Sequence, residues 1–369
     1  MKKNPGRNRV FVSGLHTVLL FLSVESLFSQ NLNVDFGGMK GTLFTHTIID
    51  KSDSLSSKEI TELRDEMGMP LWFSRDFSLT VCLSGLCRMV HVRIYWTGAA
   101  TYLGLQTPED DQLTKTDHSK FTPEDLERLD RILSDSLSIL KRLKIEDLTV
   151  ETENKNKDLI DGHSGATESS LLGYVVKDAV YTCYTLWQTV YGSARKEIQS
   201  ILEQRTNKDY LRLVFERKNP QYILWAIDFI SKHPQYHQAF YPEIISLVKS
   251  KDINLSKYAL HYLTPVLLSD AGLQKELAKV MEEASVQRKF EIIWKFLALQ
   301  HVNNDIILNL LGQYEEQKLS TTLLWYVCEM IRPENMKDSR IVSKIENISK
   351  DDNLYVRNIT QKILSATKN

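Results

Sequence analysis

The chain predicts an α+β first half built on an antiparallel sheet, followed by an all-α second half. Three observations predict it. Segments rich in β-branched and aromatic residues, with turn residues between them, lie between Leu71 and Leu105. From about Ser193 proline and glycine thin out, and apolar residues recur at helical spacing to the end. Within that second half, similar segments return roughly every 31 to 35 residues. A length of 369 residues suits two domains.

The N-terminus reads as an export signal over 1–29. Lys2, Lys3, Arg7 and Arg9 precede an apolar run, Val10 to Val24, too short to span a bilayer as a helix. The cut is expected near Ser29 or Gln30, at an imperfect site, because Leu27 is not small and Glu25 lies close. The competing readings are an uncleaved interfacial anchor and a buried strand. No later segment reaches the ~20 apolar residues of a transmembrane helix. The mature chain is therefore expected in a periplasmic or other extracytoplasmic space, held at a membrane only through a partner.

The first half carries strands over Leu71–Thr80, Cys87–Trp96 and Thr101–Leu105. Cys82 and Cys87 flank the turn of the first hairpin, close enough for a disulfide in an oxidising compartment. A structural staple is the commoner use; a redox-active pair is the alternative. Cys183 and Cys328 fall in helical patterns and read as buried core residues. Thr122-Pro123-Glu124-Asp125 is a helix start, with threonine as cap, proline at the first position and two acids at the positive end of the dipole.

Asp161-Gly162-His163-Ser164-Gly165-Ala166-Thr167 precedes an amphipathic run expected to be one helix from Glu168 to about Val190. Gly165 lets backbone approach a ligand closely. The free N–H groups and dipole of a helix start favour a phosphate, and Thr167 adds a hydroxyl there. The bland alternative is a plain cap with nothing bound.

This stretch resembles the Asp-x-x-Ser/Thr-Gly-Ala-Thr signature of FMN-binding domains, as found in subunits of sodium-pumping NADH:quinone oxidoreductase and Rnf-type electron-transport complexes. The matching residues are Asp161, Ser164, Gly165, Ala166 and Thr167. The resemblance implies FMN held covalently by a phosphoester to Thr167, attached by a flavin transferase. It also implies a flavin-lining loop, in whose place stand Lys115, Asp117 and His118; a solvated loop is the equal alternative. His163 departs from the small or aliphatic residue usual there. The domain would cover 31–190.

The second half, 193–369, opens repeat units at Asn219, Asn254, Ser285, Leu319 and Asn353, with second helices over Pro242–Lys249, Leu273–Glu283, Asp305–Tyr314 and Arg340–Ser349. Stacked helix pairs bury together what no pair buries alone. The pattern resembles divergent HEAT-like repeats, which implies an α-solenoid.

With 46 basic and 47 acidic residues, no basic patch argues for nucleic acid. Metalloprotease, serine-hydrolase, Walker and dinucleotide motifs are absent from the sequence. His233 and His237 are separated by Pro234, which spoils a helical metal pair. The aromatic run Tyr181, Tyr184, Trp187 and Tyr191 fits core packing better than flavin stacking. The leading expectation is an exported electron-transfer flavoprotein rather than an enzyme with its own substrate. Its helical half would dock a redox partner protein or membrane electron-transport complex. The alternative is a non-redox interaction scaffold carrying a degenerate FMN-binding-like domain.

Overall fold

The computed structural model describes residues 28–32, 38–49, 55–82, 87–150 and 166–366. The chain divides into two units between Gln199 and Ser200. The expected cut near Ser29 or Gln30 falls within the first strand, β1 (Phe28–Leu32); the rest of the expected signal lies outside the described residues.

In the first unit β1 joins β2 (Thr42–Thr47), β3 (Glu59–Arg64), β4 (Pro70–Leu79), β5 (Val90–Thr97) and β6 (Tyr102–Pro108) in one antiparallel sheet of order β1-β6-β5-β4-β3-β2. The strands expected from the sequence are β4, β5 and β6, and Cys82 and Cys87 are disulfide-bonded across the β4–β5 turn, with Cα atoms 6.1 Å apart. The first three strands carry weaker local signals. In β3, Glu62 is fully buried, and its Oε2 accepts Arg64 Nη2 at 2.7 Å and faces His46 Nε2 at 2.7 Å. A buried carboxylate is tolerable only with such partners; Arg64 comes from β3 itself and His46 from the neighbouring β2.

One sheet face carries Ile60, Phe73, Val92, Ile94, Trp96 and Leu105, all buried. Two helices complete this core. The first, α1 (Pro123–Ser134), starts as its sequence requires: Asp125 N–H donates to Thr122 Oγ1 at 3.2 Å, and Thr122 N–H to Asp125 Oδ2 at 3.0 Å. After a two-stranded ribbon, β7 (Thr149–Val150) with β8 (Ala166–Thr167), comes α2 (Val180–Val190).

Side chains of α2 and of the residue that follows it hydrogen-bond to carbonyls of α1 and the turns after it. Trp187 Nε1 donates to Asp135 O at 2.9 Å, Gln188 Nε2 to Leu140 O at 2.9 Å, Tyr184 to Leu143 O at 3.1 Å, and Tyr191 to Leu133 O at 2.8 Å. From the sheet, Trp96 Nε1 donates to Val190 O at 3.0 Å. Burial pushes the Tyr191 hydroxyl up to about 12, so it stays a donor. These aromatics belong to the core. The first unit also extends past the expected boundary at Val190, into α3 (Ser193–Arg205), where Arg195 Nε donates to Ala100 O at 2.9 Å.

The second unit takes the rest of α3 and then α4 (Lys208–Arg217), α5 (Pro220–Lys232), α6 (His237–Val248), α7 (Ile253–Tyr262), α8 (Ala271–Val280), α9 (Val286–Leu297), α10 (Asn304–Glu315), α11 (Thr321–Met330), α12 (Ser339–Ile348) and α13 (Leu354–Ala366). Helices α5 and α7 pack together, as do α9, α11 and α13; on the other side α6 packs with α8, and α10 with α12. The two sides meet through α4–α5, α6–α7, α10–α11 and α12–α13.

The same buried signature returns at a constant interval. Ile223, Ala226, Ile227 and Ile230 in α5 become Ser256, Ala259, Leu260 and Leu263, then Lys289, Ile292, Ile293 and Phe296. Helix α6 begins at His237 rather than at the expected Pro242. Interior proline is tolerated because the carbonyl it cannot bond belongs to Gln238, which is exposed.

Buried amides stitch one turn between helices from both sides. Gln274 Oε1 accepts Asn303 N–H at 3.0 Å, and its Nε2 donates to Leu268 O and His301 O. Fully buried Asn335 donates to Val302 O at 3.2 Å and Asn304 Oδ1 at 2.8 Å, and accepts Arg332 N–H at 2.8 Å. Among the described residues no helix is long and apolar enough to cross a membrane.

Asn335→Leu keeps the branching at Cγ but strands Val302 O and Arg332 N–H. Leaving a buried group unpaired costs roughly 1–3 kcal/mol. The helical signal should melt at clearly lower urea, and an unchanged midpoint would show that the stitch is dispensable.

Candidate functional site

Asp161, Ser164 and Gly165 lie outside the described residues. Ala166 and Thr167 form β8, with Thr149 opposite Thr167 and Val150 opposite Ala166. No α-helix starts after them, which corrects the expected helix over 168–190. Glu168 N–H donates to Leu148 O at 3.1 Å, and a three-residue 3-10 turn, Ser169–Leu171, follows. Leu171, Val175 and Val176 are buried and pin an irregular path. Asp178, with φ +59°, then turns the chain before α2 begins at Val180.

Two consequences follow for the phosphate argument. A single 3-10 turn has no summed helix dipole comparable to that of a long helix. The turn's own cap is also a carboxylate: Glu168 Oε1 accepts Ser170 N–H at 3.5 Å, which places negative charge where an anion was expected. The Thr167 side chain is half-buried, and its hydroxyl has no hydrogen-bond partner among the described residues.

The loop carrying Lys115, Asp117 and His118 is a tight turn. Lys115 N–H donates to Ser119 O at 2.8 Å, and His118 N–H donates to Lys115 O at 3.0 Å, with His118 at φ +63°. Lys115 Nζ lies 2.7 Å from Asp125 Oδ2, so the amine is already paired. That hydrogen bond raises the Lys115 pKa. Burial alone would raise Asp125, but the bonds from Lys115 and from Thr122 N–H hold its carboxyl below the usual range. Asp117 is lowered by the hydroxyl and then the N–H of Ser119, at 2.6 and 3.1 Å. The His118 side chain is exposed.

The structure relates these two regions through the start of α2. Thr116 donates to Asp178 O from both N–H and Oγ1, each at 2.8 Å. Thr149, beside Thr167, shares a hydrogen bond of 3.0 Å with Tyr181 Oη. Residues Asp178 to Tyr181 are thus the meeting point of loop and ribbon. Sequence reading missed Thr149 and Asp178, and weighed Tyr181 only for core packing or flavin stacking, because their partners are tens of residues away.

A cleft of about 470 Å³ opens between the end of β4 and α2, lined by Leu55, Phe77, Ser78, Tyr184 and Gln188 among others. Among the described residues none that line it is charged, and none belongs to the FMN-like signature or the Lys115–His118 loop. Beside the disulfide, His91 holds Asp111 through N–H and Nδ1, at 3.1 and 2.6 Å, and Arg88 Nη2 reaches the other oxygen at 2.8 Å, tying the loop after β6 to β5.

No known protein family matches this chain, and neither does any curated protein or solved structure.

Asp125 joins the cap of α1 to Lys115, so Asp125→Asn should lower thermal stability at neutral pH. A depressed carboxyl stabilises the fold above its ordinary value of 3.8, and that contribution is lost as pH falls through the folded value. The deficit against wild type should therefore close in melts taken below about pH 4. A deficit independent of pH would assign the loss to packing instead.

Proposed function

We propose that the protein is an extracytoplasmic interaction scaffold whose helical unit, a HEAT-like solenoid, docks a partner protein. The observation that carries this reading is a set of exposed aromatics on α7, α9 and α13, with a ring cluster joining α9 to α11. Tyr258, Trp294 and Tyr355 are 39%, 51% and 50% exposed, on α7, α9 and α13. On α9 and α11, Phe290, Trp294 and Tyr326 meet with ring centroids 5.3 to 6.0 Å apart, and Trp325 lies 4.7 Å from Tyr326. Trp294 stands beside the buried pair Ile292 and Ile293 but on the opposite side of α9. Aromatic side chains give large contact area at low entropic cost, and clustered exposed ones mark binding surfaces. Lys295, half-buried next to Trp294, has its pKa lowered by burial.

The test is affinity enrichment from native extract with the wild-type chain and with Trp294→Ser/Tyr326→Ser, which should keep the helical circular dichroism. A bound protein should fall at least tenfold with the variant, since hot-spot aromatics carry ~2 kcal/mol or more each. Equal recovery with both chains would overturn the reading.

A second reading, FMN esterified to Thr167 by a flavin transferase, keeps two supports: the Ser-Gly-Ala-Thr match and a Thr167 hydroxyl that no described residue hydrogen-bonds. The described residues around it supply no phosphate cradle, which is why this reading stands second. After co-expression with a flavin transferase and export, the wild-type chain would carry an FMN-sized mass increment that Thr167→Val lacks. An unlabelled wild type, or a labelled Thr167→Val, rejects it.

A further inference from the structure

Strand β2 forms one edge of the sheet. β3 pairs with it from Thr42↔Arg64 to Thr47↔Glu59, and among the described residues no strand lies along its other side. An edge strand presents unpaired N–H and C=O groups, and proteins that remain single blunt such edges with lysine, proline, a bulge or a covering element. Thr42-Leu43-Phe44-Thr45-His46-Thr47 has no lysine, no proline and no acid. Its pairing with β3 is regular throughout, without a bulge.

The strand is exposed on both faces; only His46 is half-buried. Leu43 is 57% exposed on one face, and Phe44 is 38% exposed on the other, under the Arg64 guanidinium at 3.9 Å. Met39 and Ile49, 45% and 84% exposed, extend the apolar surface beyond each end. Threonine and the aromatics also favour extended backbone. An uncharged, β-prone, regular and exposed edge is a template for another strand.

We infer that this edge pairs antiparallel with the same edge of a second copy of the chain, making a two-fold dimer with a continuous sheet. The strand is complementary to itself. Directly opposite residues in antiparallel strands point to the same face, so a two-fold axis normal to the sheet passes beside either Phe44 or Thr45. With the axis at Thr45, Leu43 meets Thr47 and Phe44 meets His46 of the second copy. Neither register brings like charges together, since His46 is the strand's one titratable residue and is turned toward Glu62 at 2.7 Å. An acidic or basic partner strand would find no complementary charge within β2 itself. Six residues make a small interface, so the dimer is weak, with a dissociation constant on the order of micromolar to 100 micromolar. The inference does not rest on the docking or flavin readings.

Sedimentation velocity of the full chain over a concentration series tests it. The wild type should move from the mass of one chain, 42.6 kDa, toward twice that value. Leu43→Lys/Thr45→Lys puts ammonium groups across the axis in both registers at exposed positions. It should weaken association at least tenfold, with partial recovery at high salt and an unchanged melting temperature. A wild type that stays single at about ten times the weak end of that range overturns the proposal, as does a variant that associates equally well. Hydrogen exchange adds an independent arm. The outward amides of β2 should be protected only at dimer-forming concentrations; protection in the dilute single chain would mean that the edge is covered within one chain and would overturn the proposal as well.

Discussion

The first unit depends on how α2 satisfies partly buried carbonyls at the end of α1 and in the turns after it. The end of α1 and the 3-10 turns after it leave the carbonyls of Leu133, Asp135, Leu140 and Leu143 facing the interior. Tyr191, Trp187, Gln188 and Tyr184 fill them, each with a polar tip on a large side chain. The same rings exclude water from the sheet face beneath, where Trp96 reaches back to Val190 O. Packing and hydrogen bonding are therefore one interaction here. A ring committed in this way is not available to stack on a cofactor, and Trp187 is only 2% exposed.

The second unit solves a related problem by repetition. Each helix buries an i, i+3, i+4, i+7 face, and the turns between helices expose backbone groups to the stack. Gln274 and Asn335 supply those groups with partners from the preceding and the following turns. Such contacts fix the spacing of neighbouring helices as well as their stability. On the opposite side of α9 and α11 the rings of Phe290, Trp294 and Tyr326 pack on one another, and Trp294 remains half exposed although it is large and apolar. That mismatch between position and residue type supports a binding role for the face.

The flavin-like signature shows how a short motif depends on its surroundings. Four residues in a row match, but a phosphate site there needs a helix that begins directly after Thr167. The chain instead spends Glu168 to Ala179 on a 3-10 turn, a buried apolar stretch and the turn at Asp178. Amphipathic spacing over this stretch was real, since Leu171, Val175, Val176 and Val180 are all buried. It was satisfied without helical backbone, because apolar residues pack against α1 and α2 whatever dihedrals bring them there.

The sequence alone determined what depends on local chemistry and period. The strands β4 to β6, the capped start of α1, the disulfide across the β4–β5 turn and the alternating helices after Asn219 were all legible, because each is set by residues close together in the chain. Tertiary structure decided what depends on distant partners. It brought His46 of β2 to the buried Glu62, paired Lys115 with Asp125, and brought Thr116 and Thr149 to the start of α2. It also left β2 at the edge of the sheet, with no described strand along its outer side. Charges and unpaired backbone groups act through whatever stands within a few ångströms, and for these residues those neighbours come from far along the chain.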